Sequence, residues 1–183
     1  QESYNQRTDM SKPNILIVGA GGFIGGFIVA EAVRRGFDTY AAVRESTSRR
    51  YITDPSVKFV VLDYDDPDTL GSRLRDDAPA SGRWDYVIYN LGATKCANFA
   101  DFNRINYMYL RDFVCALEDE NLVPEKFLFM SSLSALGPYG EADYTPADAY
   151  TVPAPNTRYG LSKIKAETFL QTRASVPWII FRP

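Results

Sequence analysis

Tyr159 stands four residues before Lys163 in the stretch NTRYGLSKIKAE, residues 156–167. Side chains four apart share one face of a helix, so a phenol and an ammonium meet there. A free tyrosine has a pKa near 10 and is a poor base at neutral pH. An ammonium about 4 Å away contributes about 4 kcal/mol at an effective dielectric near 20, which lowers that pKa by about two to three pH units before burial opposes it. The chain has no histidine, so proton transfer near neutrality falls to a tuned tyrosine, lysine or carboxylate. Taken alone the pair is weak, because a chain of this composition holds about 0.4 such matches by chance. A solvated surface contact explains the spacing equally well.

A second candidate lies near the start. VGAGGFIGG spaces Gly19, Gly22 and Gly25 as G-x-x-G-x-x-G between an apolar run and a helical pattern. Glycines there let the backbone turn tightly and approach a pyrophosphate, which then faces the amides and positive dipole end of a helix. Dinucleotide folds that take NAD place an acid at the end of the second strand; here that strand ends in Val43 and Arg44. Arg44 can hold a 2′-phosphate through charge-assisted hydrogen bonds, so the expected cofactor is NADP rather than NAD. Ser46, Ser48, Arg49 and Arg50 follow closely, and the two arginines read equally as solvated charge.

These residues need a frame. Apolar runs predict strands over residues 14–19, 39–44, 58–63, 85–90, 126–132 and 178–182, and helical periodicity predicts helices over 23–35, 67–75, 102–119 and 157–173. The alternation implies an α/β fold: a Rossmann-type, doubly wound parallel sheet with helices on both faces. Two loops stand out, 76–84 and the longer 137–156. The second lies on the carboxyl side of a strand, where such sheets place ligands, and it reads equally as a surface loop.

With 183 residues and 45% hydrophobic content the chain carries one domain, residues 13–183, behind a polar tail over 1–12 expected to be flexible. The net charge of −3, without a basic stretch interleaved with aromatics, argues against nucleic acid as a partner. Cys96 and Cys115 have no metal spacing, so neither a zinc site nor a disulfide framework is expected. No apolar run has the length of a membrane span, and a reducing cytoplasm fits this composition best.

With the glycine turn early and Tyr159-x-x-x-Lys163 late, the chain resembles the short-chain dehydrogenase/reductase superfamily, and within it the extended, epimerase/dehydratase-like branch. Intermediate motifs agree in order: Asp63 in VVLDYDD, DYVIYNLGA, Asn106 in FNRINYMYL, FMSSLSALG and IIFRP. The likeness covers residues 14–183, and five ordered matches make the surface-contact reading of the pair hard to sustain. The resemblance implies that Phe23 and Ile24 join the three glycines in binding cofactor, as do Arg44, Leu91, Gly92 and Ala93. It places Asp63 and Tyr64 near the adenine, although Asp63 reads equally as a turn residue. Leu91 stands where this branch usually has alanine. The implied catalytic set is Ser132, Tyr159 and Lys163, with Asn106 on the central helix shaping the site. Ser132 lies five residues before Gly137; Ser134 is the alternative, and Ser131 reads as a strand cap.

The resemblance implies an NAD(P)-dependent epimerase, dehydratase or related oxidoreductase. Hydride would transfer at a hydroxyl or carbonyl carbon of a small-molecule substrate such as a nucleotide sugar, with Tyr159 as acid/base and no metal. A carbonyl or hydroxysteroid-type reductase is the alternative, because FMSSLSALGP and GATK resemble that relative too. A non-catalytic NADP-binding sensor is a third reading. A homodimer packed through the helices carrying Asn106 and Tyr159 is also implied. Extended relatives continue past the motif matching IIFRP into a substrate-binding portion, so that portion is expected to be missing, leaving apolar strand surface uncovered at residues 178–183.

Overall fold

The computed structural model describes residues 12–140 and 144–183. Most of the tail expected over 1–12 therefore lies outside the described residues. Six strands form one parallel sheet: β1 (Asn14–Val18), β2 (Asp38–Val43), β3 (Lys58–Val61), β4 (Tyr86–Tyr89), β5 (Lys126–Met130) and β6 (Trp178–Phe181), in the order β3-β2-β1-β4-β5-β6. Every residue of β1 is buried, as expected for a central strand covered on both faces.

Alternation along β1 feeds two cores. Leu16 and Val18 pack on one face with Tyr89, Phe113, Phe127 and Phe129, against α2 (Pro67–Asp76), α4 (Tyr109–Asp119) and α5 (Arg158–Thr172). Ile15 and Ile17 pack on the other with Val29 and Ala32 of α1 (Phe23–Arg34). Register follows: Leu16 pairs with Tyr40 and Val87, and Phe129 with Ile180.

The chain builds outward from β1 through β2 to β3, then crosses over to β4 and continues to β6. Strand order thus reverses between β1 and β4, and a crevice opens at the carboxyl ends of those strands. Gly19, at the end of β1, has a φ of +77°, and a Cβ there would lie 2.8 Å from the Leu91 amide nitrogen at the end of β4. Only glycine lets the two strand ends approach so closely.

The helix expected from about Phe102 starts earlier and is not uniform. Asn98 caps α3 (Phe99–Asn103) by accepting from the Asp101 amide at 2.9 Å, and a π-helical turn, Arg104–Met108, then joins α3 to α4. Apolar periodicity carries no signal for a π turn, because the wider turn is set by what the helix packs on. In the long loop, Ala154 N donates to Leu136 O at 2.8 Å, so its far end returns to the end of β5. Trp178, Ile179 and Phe181 of β6 are partly exposed. Among the described residues no helix is long and apolar enough to cross a membrane.

Candidate active site

A cleft of about 630 Å³ crosses the carboxyl ends of β2, β1, β4 and β5. At β1 it is lined by Gly19, Gly22, Phe23 and Ile24; at β2 by Arg44, Ser46 and Thr47; at β4 by Leu91 and Gly92; and at β5 by Ser132, facing Tyr159 and Lys163 of α5. Residues as far apart in sequence as Gly19 and Lys163 share one cavity because parallel strands deliver all their carboxyl ends to one edge.

The glycine turn fits a diphosphate. Helix α1 begins at Gly22 with no side-chain cap, and its first backbone bond is Gly26 N to Gly22 O at 2.9 Å. The amides of its first turn therefore face the cleft without intrahelical partners. Gly25 is buried rather than cleft-lining: a Cβ there would sit 2.2 Å from Gly19 O and 2.8 Å from Ala20 Cα. Its role is to let the helix pack on the turn, so it supports the phosphate cradle from behind.

The loop after β2 separates its arginines. The Arg49 guanidinium lies 4.4 Å from the Phe59 ring centre, and Arg50 lies over Tyr51 at 4.6 Å and donates to its hydroxyl at 2.7 Å. Arg44 lines the cleft and makes no ion pair among the described residues. Its amide donates to Thr47 Oγ1 at 3.2 Å, which brings Thr47 back over the glycine turn.

Asp63 is exposed and does not line the cleft; its carboxylate accepts from the Asp65 amide at 3.0 Å, the turn geometry left open from the sequence. Tyr64 does line it, 3% exposed, and among the described residues its hydroxyl has no partner. Burial pushes that phenol upward. The neighbouring Asp65 accepts from Tyr109 and, at 2.7 Å, from Arg104 of the π turn. Those bonds, Tyr109 foremost, hold the Asp65 carboxyl below its ordinary value, while burial and Asp65 push Tyr109 up to about 12.

Tyr159 and Lys163 lie at the start of α5, where Thr157 Oγ1 accepts from Gly160 N at 2.9 Å. A Cβ on Gly160 would meet Ser134 O at 2.1 Å, so this glycine lets α5 begin against the short 3-10 turn Leu133–Ala135. Lys163 is 4% exposed. Its Nζ donates to Met130 O at 2.9 Å and lies 4.9 Å from the Phe129 ring centre and 5.9 Å from that of Tyr159. Burial lowers its pKa to about 8, with the Glu167 charge opposing. At pH 7 about nine in ten of these amines remain ammonium.

Asn106 is fully buried at the centre of the π turn and stands behind the cleft rather than in it. Its Oδ1 accepts from Ala93 N at 2.7 Å, and its Nδ2 donates to Ala93 O and to Ser162 Oγ, both at 2.9 Å. Ser162 in turn donates to Tyr159 O at 2.7 Å. One amide thus ties the segment after β4 to the helix carrying Tyr159. Ala93 meets Asn106 through its backbone, and a Cβ on the adjoining Gly92 would lie 3.1 Å from both Asn106 Oδ1 and Lys163 Nζ.

Of the three serines, Ser131 and Ser132 both line the cleft, and their hydroxyls have different partners. Ser132 lines the cleft and accepts from Ser134 N at 3.2 Å, whereas Ser134 is outside the lining. Ser131, expected only to cap the strand, instead gives its hydroxyl to the buried Glu167 carboxylate, which also receives Arg182 Nε at 3.0 Å and Nη2 at 2.5 Å. Sequence reasoning passed over Glu167. The available signal was its position four residues after Lys163, on the same helix face.

Residues 15–183 match the model of a family described as NAD dependent epimerase/dehydratase. A UDP-glucose 4-epimerase of Lactobacillus helveticus is 26% identical over 156 residues, covering 85% of this chain and 46% of that protein. Among solved structures, the Bordetella bronchiseptica enzyme WbmG in complex with NAD and UDP is similar with a TM-score of 0.74 at 20% identity, over 94% of this chain and 53% of WbmG. A UDP-glucose 4-epimerase of Thermotoga maritima with UDP-glucose has a TM-score of 0.75 at 19% identity, over 92% of this chain and 54% of that one. The chain spans about half the length of these relatives. With a family match running from β1 through β6 of the parallel sheet, the chain belongs to the NAD dependent epimerase/dehydratase family, in the extended branch of the short-chain dehydrogenases/reductases.

Proposed function

We propose that the cleft binds NADP(H), and that Tyr159, Lys163 and Ser132 manage the proton while hydride moves to and from a hydroxyl-bearing carbon of a nucleotide sugar. The observation carrying this reading is the single cavity that joins an uncapped helix terminus able to hold a diphosphate to a phenol, a buried amine and a serine hydroxyl. A bound nicotinamide would supply the hydride acceptor and donor.

The chain's own residues would supply the rest. The amides of Phe23 and Ile24 hold the diphosphate, and Arg44 with Ser46 and Thr47 cups a 2′-phosphate. The NADP preference rests on Arg44, the one arginine of its loop that lines the cleft; WbmG, solved with NAD, bears the other way. Lys163 presents its charge to the side of the cleft that holds Tyr159 and hydrogen-bonds ribose hydroxyls. Tyr159 Oη takes the proton of the substrate hydroxyl as that carbon is oxidised and returns it when the hydride comes back. Ser132 Oγ donates to the same oxygen and fixes its position. Asn106 acts from behind, holding Ala93 and, through Ser162, the backbone of Tyr159.

A nucleotide sugar is favoured because the named relatives include UDP-glucose 4-epimerases and an enzyme solved with UDP. Tyr159→Phe is expected to lower turnover about 10²- to 10⁴-fold and to leave the NADPH dissociation constant within about two-fold, because the phenolic proton is lost but the binding surface is kept. Incubating UDP-sugars with NADP(H) and reading product mass and net cofactor consumption tests the reaction class. Isomerised product without net consumption supports epimerisation; stoichiometric NADPH loss with a small carbonyl points to a reductase. Full activity in Tyr159→Phe rejects the assignment.

The groove between the π turn and α5 supports a homodimer. It is lined by Tyr107, Arg111, Lys165 and Phe169 and runs along the helices that carry Asn106 and Tyr159. Sedimentation equilibrium tests it, and a monomer at every concentration rejects it.

A further inference from the structure

Glu167 is fully buried, and nothing in the proton-transfer scheme uses it. Its carboxylate is nevertheless fully engaged. Arg182, at the end of β6, binds it through Nε at 3.0 Å and Nη2 at 2.5 Å, and the hydroxyl of Ser131, at the end of β5, donates to the same Oε1. Burying an ion pair is costly, and apolar residues of similar volume commonly serve stability as well or better. Packing alone therefore does not account for a carboxylate at this position.

Its surroundings give a reason. Glu167 lies one helical turn after Lys163 on the buried face of α5. Lys163 Nζ donates to Met130 O, and Met130 precedes Ser131, which binds Glu167, and Ser132, which lines the cleft. Two crosslinks one turn apart thus fasten α5 to two consecutive residues at the end of β5, Met130 and Ser131, directly before Ser132. The groups facing Lys163 are Tyr159 and Glu167 on α5, the Phe129 ring and Met130 carbonyl on β5 and the Asn106 amide on the π turn, with Arg182 of β6 behind Glu167. Among them Glu167 is the only carboxylate.

We propose that Glu167 is a positioning residue: clamped by Arg182 and Ser131, it sets the rotation of α5 against the end of β5 and supplies the buried negative charge that faces Lys163. The proposal rests on the reading of Tyr159 and Lys163 given above, since it assigns Glu167 the task of keeping that amine charged. Burial drives Lys163 toward the neutral amine and Glu167 opposes it. Arg182 acts in the opposite sense, because its positive charge offsets the carboxylate.

The test is a direct titration of Lys163 in cofactor-free protein, by NMR of lysines labelled at Cε, the Lys163 resonance being assigned by its absence in Lys163→Met. In Glu167→Gln, which preserves shape and one acceptor oxygen, the Lys163 midpoint is expected to fall by about one pH unit, a ten-fold loss of proton affinity. In Arg182→Gln, which leaves the carboxylate unneutralised, the midpoint is expected to rise. Opposite shifts support the proposal, since a merely structural role would move neither midpoint in this pattern. Unchanged midpoints, or shifts of the same sign, overturn it. If one variant fails to fold, the sign of the other decides. Because no cofactor is present, failure to bind NADP(H) would sink the functional reading while leaving this result standing.

Discussion

Replacing Lys163 by methionine should stabilise the protein while removing its function. Lys163 is buried with its ammonium against Phe129, and its pKa falls from 10.5 to about 8. At pH 7 that difference means the buried charge costs about 3 kcal/mol relative to the unfolded chain. Methionine fills nearly the same volume without the charge, and its unbranched chain adapts to the site. Against this, Met130 O loses its donor, a cost of about 1 kcal/mol. The net gain at pH 7 is about 2 kcal/mol, or about 4–8 °C in melting temperature for a domain of this length.

The pH dependence gives the sharper test. Between pH 8 and pH 10.5 the unfolded lysine holds a proton that the folded one has released, so wild-type stability rises with pH across that window. The charge's share of its deficit relative to Lys163→Met is fully present below about pH 8, shrinks by about 1 kcal/mol between pH 7 and pH 9, and vanishes above the unfolded pKa. Urea denaturation of both proteins at pH 7 and pH 9 measures this. A gap that does not change between the two, or a variant less stable than wild type at pH 7, refutes the reasoning that burial has depressed this amine. Turnover and NADPH affinity should fall in the same variant, since the charge beside Tyr159 and the ribose donor are both gone.

Two further perturbations test the cleft. Arg44→Ala should raise the NADPH dissociation constant about 10- to 100-fold, the worth of charge-assisted hydrogen bonds to one phosphate, and leave that for NADH nearly unchanged; equal wild-type affinity for NADH and NADPH, read by isothermal titration, would remove the 2′-phosphate from the scheme. Gly25→Ala should cost about 1–3 kcal/mol in denaturation and abolish cofactor binding, because the added methyl would lie 2.2 Å from Gly19 O and both neighbours are backbone. A fully stable variant with intact binding would show that the turn tolerates displacement.

Much of the frame was legible from local chemistry. Apolar runs such as NILIV and YVIY mark buried strands wherever they stand, and the glycines at 19, 22 and 25 mark a strand-to-helix turn, two of them, Gly19 and Gly25, at approaches too close for any other residue. The Tyr159 and Lys163 spacing is likewise local, since a helix fixes what lies four residues apart. Other features depended on partners distant in the chain. Asn106 faces inward because the π turn re-aims it toward Ala93 and Ser162, and no periodicity announces that. Arg44 differs from Arg49 and Arg50 only because Phe59 and Tyr51 occupy the other two.

The serines and the lysine show the same division. Ser131, Ser132 and Ser134 are one motif on paper; the fold sets the first two along the cleft, binds the hydroxyl of the first to Glu167 and leaves the third outside the lining. The sequence by itself determined which elements form, in what order, and which residue types could carry the chemistry, because strand pattern, turn and helix spacing are properties of neighbours. Only the tertiary structure decided that Lys163 is buried and opposed by one carboxylate, and that the carboxylate is held from another strand. Burial and charge pairing are sums over everything that packs around a group, and for Lys163 those neighbours come from β5, the segment after β4 and its own helix.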